Sequence, residues 1–304
     1  MDARPRFGLI GTITYDVITG EDKTIHEGLG GILYQAAVLC GLGQEVNLYT
    51  NLGKELETKV QELTKEWTSL DKRGIKMVPG PGNRVFLDYP EGGERIEVLK
   101  SVVPPINLDL ILKDLPQLDF LVMSFNSGFD MESEEWERVK KKATCPIWLD
   151  IHSLLLEKKI GTPRAYVPLQ NWKNWVEGIY YLQANKAEVA ALLNRPGKNL
   201  GLAELENFGE EVLELGVKAV FLTRGAEGLL LMGKKGAVSI PVFDGGSVVD
   251  TTGCGDVLCA GAVIRLSHGR DPYESAVYGM NMASAAAGLR GVSKLFLWMK
   301  SVLC

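Results

Sequence analysis

The chain has little of what several protein classes require. Its five cysteines (Cys40, Cys145, Cys254, Cys259 and Cys304) form no C-x-x-C pair, which argues against a zinc site and fits reduced thiols in a cytosol. No apolar run reaches the ~18 residues that would span a bilayer, and the opening MDARPRFGLIGTI is too short and glycine-broken for a secretion signal. A soluble, cytoplasmic protein without membrane contact is expected. Basic residues are not in excess: 33 Lys and Arg stand against 38 Asp and Glu, a net charge of −5, which argues against an extended nucleic-acid footprint and for small-molecule partners. There is no tandem repeat or low-complexity tract. No Walker A sequence occurs, and the group Gly28-Leu29-Gly30-Gly31 fails the G-x-G-x-x-G spacing at Leu33, so a dinucleotide oxidoreductase is disfavoured.

What is present is enough apolar residue, 46% of 304, for a sizeable core, and one stretch that organises the rest. Asp250-Thr251-Thr252-Gly253-Cys254-Gly255-Asp256 sets a glycine turn and a carboxylate before Val257, Leu258, Ala260, Val263, Ile264 and Leu266. That apolar set recurs at roughly helical spacing. The first N–H groups of a helix lack intrahelical partners and carry the positive end of the macrodipole, so the main chain of Gly253, Cys254 and Gly255 can hold an anion. A carboxylate beside an anion cradle repels the ligand its neighbours attract. Asp256 is accounted for either as the base that takes a proton from an attacking hydroxyl or as a simple helix cap.

The run DTTGCGDVLCAGAVIRL resembles the C-terminal signature of the ribokinase-like (PfkB) carbohydrate and nucleoside kinases. The resemblance extends from Gly8 to about Gly291. It implies a single domain over residues 1–304: a doubly wound, mostly parallel α/β sheet flanked by helices, with a small β lid from segments about 12–30 and 83–100. It also implies that Asp256 activates the substrate hydroxyl and that Gly253, Cys254 and Gly255 form the anion hole. ATP and Mg²⁺ are the implied cofactors, and some members add a monovalent cation such as K⁺ beside the loop of Asp250. A homodimer through the lid is the assembly to look for.

Other segments take their meaning beside that family. A short apolar strand, Phe7 to Ile13, leads to Asp16, which is a solvated loop acid or, by the resemblance, the residue that binds substrate hydroxyls. Gly30-Gly31 would let the main chain approach the substrate, and the following Tyr34-Gln35 departs from the asparagine common in the family. Ile18 to Glu27, and 83–89 with 95–99, read as hairpins; Lys54 to Ser69 reads as a charged helix. Asn185 and Glu188 lie at i and i+3, a spacing that suits water-mediated Mg²⁺ binding or a capping box. Thr223, Gly225 and Gly228 match a turn that approaches the nucleotide. Arg224 meets a phosphate there or is solvated, and Asn281, on a small-residue helix, would contact the nucleotide. His152 follows Asp150 where many members differ. Trp172 and Trp175, near several basic residues, read as packing residues.

The leading expectation is ATP-dependent phosphoryl transfer to a hydroxyl of a sugar. The alternatives are a nucleoside acceptor, or a catalytically silent ligand-binding homologue, since fold does not fix function.

Overall fold

A strand that is apolar at successive positions needs cover on both faces, and residues 120–123 (Phe-Leu-Val-Met) and 219–222 (Ala-Val-Phe-Leu) are of this kind. The computed structural model describes residues 4–20, 23–90, 96–244 and 246–302. Its strands are β1 (Arg6–Ile10), β2 (Ile13–Thr19), β3 (Ile25–Gly31), β4 (Glu45–Gly53), β5 (Leu70–Asp71), β6 (Ile75–Val78), β7 (Asn83–Asp88), β8 (Ile96–Ser101), β9 (Phe120–Ser124), β10 (Ile147–Asp150), β11 (Tyr181–Asn185), β12 (Ala219–Thr223), β13 (Leu229–Gly233) and β14 (Gly236–Ile240).

The main sheet runs β14-β13-β12-β11-β10-β9-β1-β4-β5, with β6 also on β4. It is parallel except where β12, β13 and β14 turn back antiparallel. Period-2 alternation then sorts each strand's residues between two layers. Phe120 and Val122 join the core formed with helices Leu33–Gly41, Cys254–Ser267, Pro272–Ala286 and Val292–Val302. Leu121 and Met123 join the opposite core, with helices Leu108–Asp114, Ser133–Lys142, Lys186–Leu192 and Leu202–Glu214. This is the doubly wound, ribokinase-like arrangement expected. Trp148 is fully buried at the centre, its ring 4.4 Å from Phe221 and 5.8 Å from Tyr181. Trp172 packs on Phe208 and Trp175 on Phe125.

The second sheet, β3-β2-β7-β8, is built from the segments between β1 and β9. Strand β2 pairs antiparallel with β3 (Asp16 opposite Gly28) and parallel with β7 (Asp16 opposite Val85). Its covered face buries Val85, Leu87 and Leu99 with Ile18, Tyr89 and Phe129. Edge strand β8 is in turn covered by residues 161–164: Gly161 N–H donates to Leu99 C=O at 2.8 Å and Arg164 N–H to Glu97 C=O at 3.0 Å. The Arg164 guanidinium is buried against Glu97 at 3.0 Å and donates to the carbonyls of Glu157 (2.8 Å) and Ser127 (2.9 Å).

Two segments differ from the sequence reading, and a third is not described. The charged helix beginning at Glu57 stops at Leu63, where the Thr64 hydroxyl donates back to the Val60 carbonyl at 2.7 Å; the chain then turns into β5. Gly28–Gly31 lies within β3, so the hairpin is longer than 18–27. The turn that would join 83–89 to 95–99, at Glu91-Gly92-Gly93-Glu94, lies outside the described residues.

Candidate active site

Helix Cys254–Ser267 starts from a turn that only glycine makes without strain. Gly253 caps it at φ +81°, and a Cβ there would lie 2.4 Å from the Tyr34 ring. The turn is braced by the Thr252 N–H, which donates to Asp250 Oδ1 at 2.9 Å. Of the three amides expected to hold an anion, that of Cys254 donates instead to the Thr251 carbonyl at 3.2 Å. Among the described residues the amides of Gly253, Gly255 and Asp256 have no such partner, so two of the three expected donors are open and that of Asp256 stands in for Cys254.

Asp256 is held from the side. Gln35 Nε2 donates to its Oδ1 at 3.1 Å and to Ser124 Oγ, at the end of β9, at 2.7 Å. The last residue of β10, Asp150, accepts from Gln183 Nε2 at 3.3 Å, and the same amide nitrogen reaches the Gly255 carbonyl at 3.2 Å. Burial pushes the Asp256 carboxyl up to about 8; the charge of Asp150 adds to the rise, and His152 and the Gln35 hydrogen bond oppose it. Burial and then Glu188 push Asp150 up to about 7, against the pull of His152.

These groups open on one cavity of about 750 Å³. Asp150, His152, Gln183, Asn185, Glu188 and Asp256 line its polar part, and Val242, Val248, Met280, Ala283 and Ala287 line an apolar part. Thr223, Gly225 and Gly228, and Gly253, Cys254 and Gly255, lie along it. The second sheet reaches its rim at Tyr89, whose hydroxyl is 3.4 Å from Thr252 Oγ1.

Asp16 is buried on β2, close enough to bear on the charges of Tyr34 and Asp256. Gly30 and Gly31 lie on β3 beside it. A Cβ on Gly30 would fall 1.9 Å from Asp16 Oδ2, so this glycine makes room for the carboxylate. Arg224 and Asn281 lie outside the lining of this cavity. The Arg224 guanidinium turns toward β14, donating to Ser239 Oγ at 3.2 Å and to the Glu227 carbonyl at 3.1 Å. Asn281 belongs to an outer groove with Arg265 and Tyr278, because the cavity takes the helix face of Met280, Ala283, Ser284 and Ala287.

Glu188 completes a capping box: its Oε2 accepts from the Asn185 N–H at 2.7 Å, its Oε1 from Asn185 Nδ2 at 2.6 Å, and its backbone N–H donates to Asn185 Oδ1 at 2.9 Å. His152 Nδ1 lies 2.7 Å from the same Oε1. The described residues hold no cluster of three metal-ligating side chains. Mg²⁺ nevertheless suits the donors present, since it binds through one or two carboxylates and keeps most of its water, and a cation beside Asp150 and Glu188 would oppose the burial and the Glu188 charge that raise the Asp150 carboxyl. A monovalent cation fits the Asp250 loop poorly. The Arg290 guanidinium lies 4.0 Å from Asp250 and donates to the Val249 carbonyl at 3.3 Å, so positive charge is already in place there.

Sequence reasoning met Gln35 only as a departure from the family's asparagine and Asp150 only as the residue before the segment of His152, and it passed over Gln183 and Tyr89. Only Gln35 left a signal, as a polar residue in an otherwise apolar, helix-forming run.

Comparison with known proteins bears on this geometry. Residues 156–297 match the model of the pfkB family of carbohydrate kinases. A 1-phosphofructokinase of Haloferax volcanii is 30% identical over 112 residues, 37% of this chain and 36% of that protein, so the match spans about a third of the relative's length. Among solved structures, ribokinase of Thermotoga maritima superposes with a TM-score of 0.73 at 21% identity, covering 98% of each chain. Ribokinase of Arabidopsis thaliana, complexed with ribose and ATP, superposes with a TM-score of 0.72 at 18% identity over 98% of this chain and 99% of that one.

Proposed function

We propose that this chain, whose residues 156–297 match the pfkB family of carbohydrate kinases and whose fold is ribokinase-like throughout, transfers the terminal phosphoryl group of ATP to a hydroxyl of a sugar. The observation that carries the reading is Asp256. It stands at the head of a helix with open amides, facing a cavity whose other part is apolar and large enough for a nucleotide base.

In this reading the Asp256 carboxylate takes the proton of the attacking hydroxyl. The amides of Gly253, Gly255 and Asp256, at the positive end of the helix, stabilise charge on the group in transfer, where such fixed donors act most strongly. Asp150 and Glu188 would hold Mg²⁺, which supplies charge neutralisation on the phosphates when bound. Thr223, Gly225 and Gly228 flank the donor, and the apolar wall around Met280 and Ala283 takes the base. Asp16 orients the acceptor's hydroxyls. The second sheet acts as a lid that excludes water, a competing acceptor. The outer edge of β3, which pairs with no strand among the described residues, is the surface for a homodimer through that lid. No helix among the described residues is long and apolar enough to cross a membrane, which fits a cytoplasmic kinase.

The test is ADP release with Mg²⁺ and a panel of free sugars, sugar phosphates and nucleosides. Turnover on a sugar supports the reading. Turnover confined to nucleosides replaces the acceptor, and ligand-induced thermal stabilisation without turnover on any of them replaces the kinase with a binding protein.

A further inference from the structure

A glutamine without solvent contact needs partners for its polar atoms, because each one left alone costs about 1–3 kcal/mol. Gln35 is fully buried on helix Leu33–Gly41, a helix buried at each of its positions, so its backbone is fixed. Its Nε2 uses both protons: one goes to Ser124 Oγ at 2.7 Å and the other to Asp256 Oδ1 at 3.1 Å. Ser124 is itself immobile, buried in β9 opposite Asp150 of β10. Its Oε1 is buried with no hydrogen-bond partner, so the amide's orientation is set by its two acceptors alone.

We propose that Gln35 is the positioning residue for the Asp256 carboxylate, suspending it by Oδ1 from the end of β9 so that Oδ2 faces the incoming hydroxyl. This rests on Asp256 acting as a base, as proposed above, and adds the residue that orients it. Three elements distant in sequence, the Leu33–Gly41 helix, β9 and the Cys254–Ser267 helix, meet at that one amide nitrogen. Oδ1 is its only hydrogen-bonded oxygen among the described residues. The amide also sets the charge state of the base. The titratable groups that bear on Asp256 are Asp16 from β2, Tyr34 from Gln35's own helix, Asp150 and His152 at the end of β10, and Cys254 and Cys259 from its own helix. The neighbouring carboxylates disfavour ionisation of Asp256, and the Gln35 hydrogen bond favours it.

The test is steady-state kinetics of the full chain across pH 5.5–9. Gln35→Leu is expected to lower kcat at neutral pH by about 10–100-fold, part of the ~10²–10⁴-fold worth of a positioned base, with KM for both substrates little changed. It is also expected to displace the acid limb of kcat to higher pH, and Gln35→Glu, which adds a carboxylate beside Asp256, to displace it further. Ser124→Ala, which frees the far side of the amide, shifts the limb in the same direction by less and keeps the test open if Gln35→Leu does not fold. A packing role alone lowers stability without that ordered displacement. A folded Gln35→Leu protein, or a Ser124→Ala protein where only that folds, with the wild-type acid limb and kcat overturns the proposal. Should the wild type transfer no phosphoryl group, the kinase reading fails separately. The link is then read from the ¹³C-carboxyl titration of Asp256, assigned by Asp256→Asn: a higher midpoint in Gln35→Leu or Ser124→Ala supports it and an unchanged midpoint overturns it.

Discussion

Asp256→Asn isolates proton acceptance from everything else Asp256 does. The amide has the shape of the carboxylate, its oxygen can still accept from Gln35 Nε2, and the open amides of the helix start are untouched. What disappears is a base, worth about 10²–10⁴-fold in kcat or roughly 3–5 kcal/mol of barrier. KM for donor and acceptor should stay near the wild-type values. The wild-type kcat/KM should rise with pH along a limb well above the ordinary carboxylate range, toward the value of about 8 to which burial pushes this group, and the limb should be absent from the residual activity of the variant. The same shift acts on stability. A carboxyl whose folded value lies above its unfolded one binds its proton more tightly when folded. The stability it contributes is therefore fully present below the unfolded value near 4 and is lost as pH rises toward 8. Asp256→Asn should thus melt with the wild type at pH 4 and above it at pH 8. Since Asp150 shares the proton balance, the gain is on the order of 1–2 kcal/mol, a few degrees in Tm. Pre-steady-state ADP formation and scanning calorimetry at the two pH values measure both. A variant that turns over like wild type, or an acid limb near pH 4, refutes the reasoning.

Gly253→Ala forces a Cβ into a φ of +81° and to within 2.4 Å of the Tyr34 ring; the strain and overpacking should cost about 1–3 kcal/mol and, by displacing a donor amide, ~10²-fold in kcat. Cys254→Ala should be nearly as active as wild type. The thiol sits beside the Ala283 carbonyl, and burial with Asp250 and Asp256 pushes it up to about 11, so iodoacetamide at neutral pH should leave it unmodified in intact-mass measurements. Arg164→Met removes the cation beside buried Glu97 and should destabilise the protein by roughly 3–5 kcal/mol in urea unfolding, with adding Glu97→Gln recovering part of the loss. No loss in the single variant would mean that the pair carries no structural role.

How much of this was readable from the sequence follows from which residues act locally. The turn at Gly253 and the helix behind it are encoded within a few positions, as is the capping box of Asn185 and Glu188. The two-faced strands announce themselves by unbroken apolar runs such as residues 120–123. Where Arg224 and Asn281 point was not readable, because the direction of a side chain one position from a cavity-lining residue is decided by packing: the Pro272–Ala286 helix turns Met280 toward the cavity and Asn281 toward the outer groove. Gln35 and Gln183 were illegible for a related reason. Their partners lie 221 and 72 residues away, at Asp256 and Gly255, and no local pattern specifies such meetings.

Consider finally the seam at β8. Residues 161–164 lie along that strand by backbone hydrogen bonds and a buried guanidinium, so the small sheet is fastened to the body along one margin. The opposite margin is anchored as well, its strand running directly into the buried helix Leu33–Gly41. That margin is β3, where His26 Nε2 meets Arg290 at 2.6 Å, the same arginine that lies beside Asp250. The Asp250–Asp256 loop thus meets the sheet toward both margins, directly at Tyr89 after β7 and through Arg290 at β3, so a displacement of the sheet is transmitted to the turn that carries Asp256.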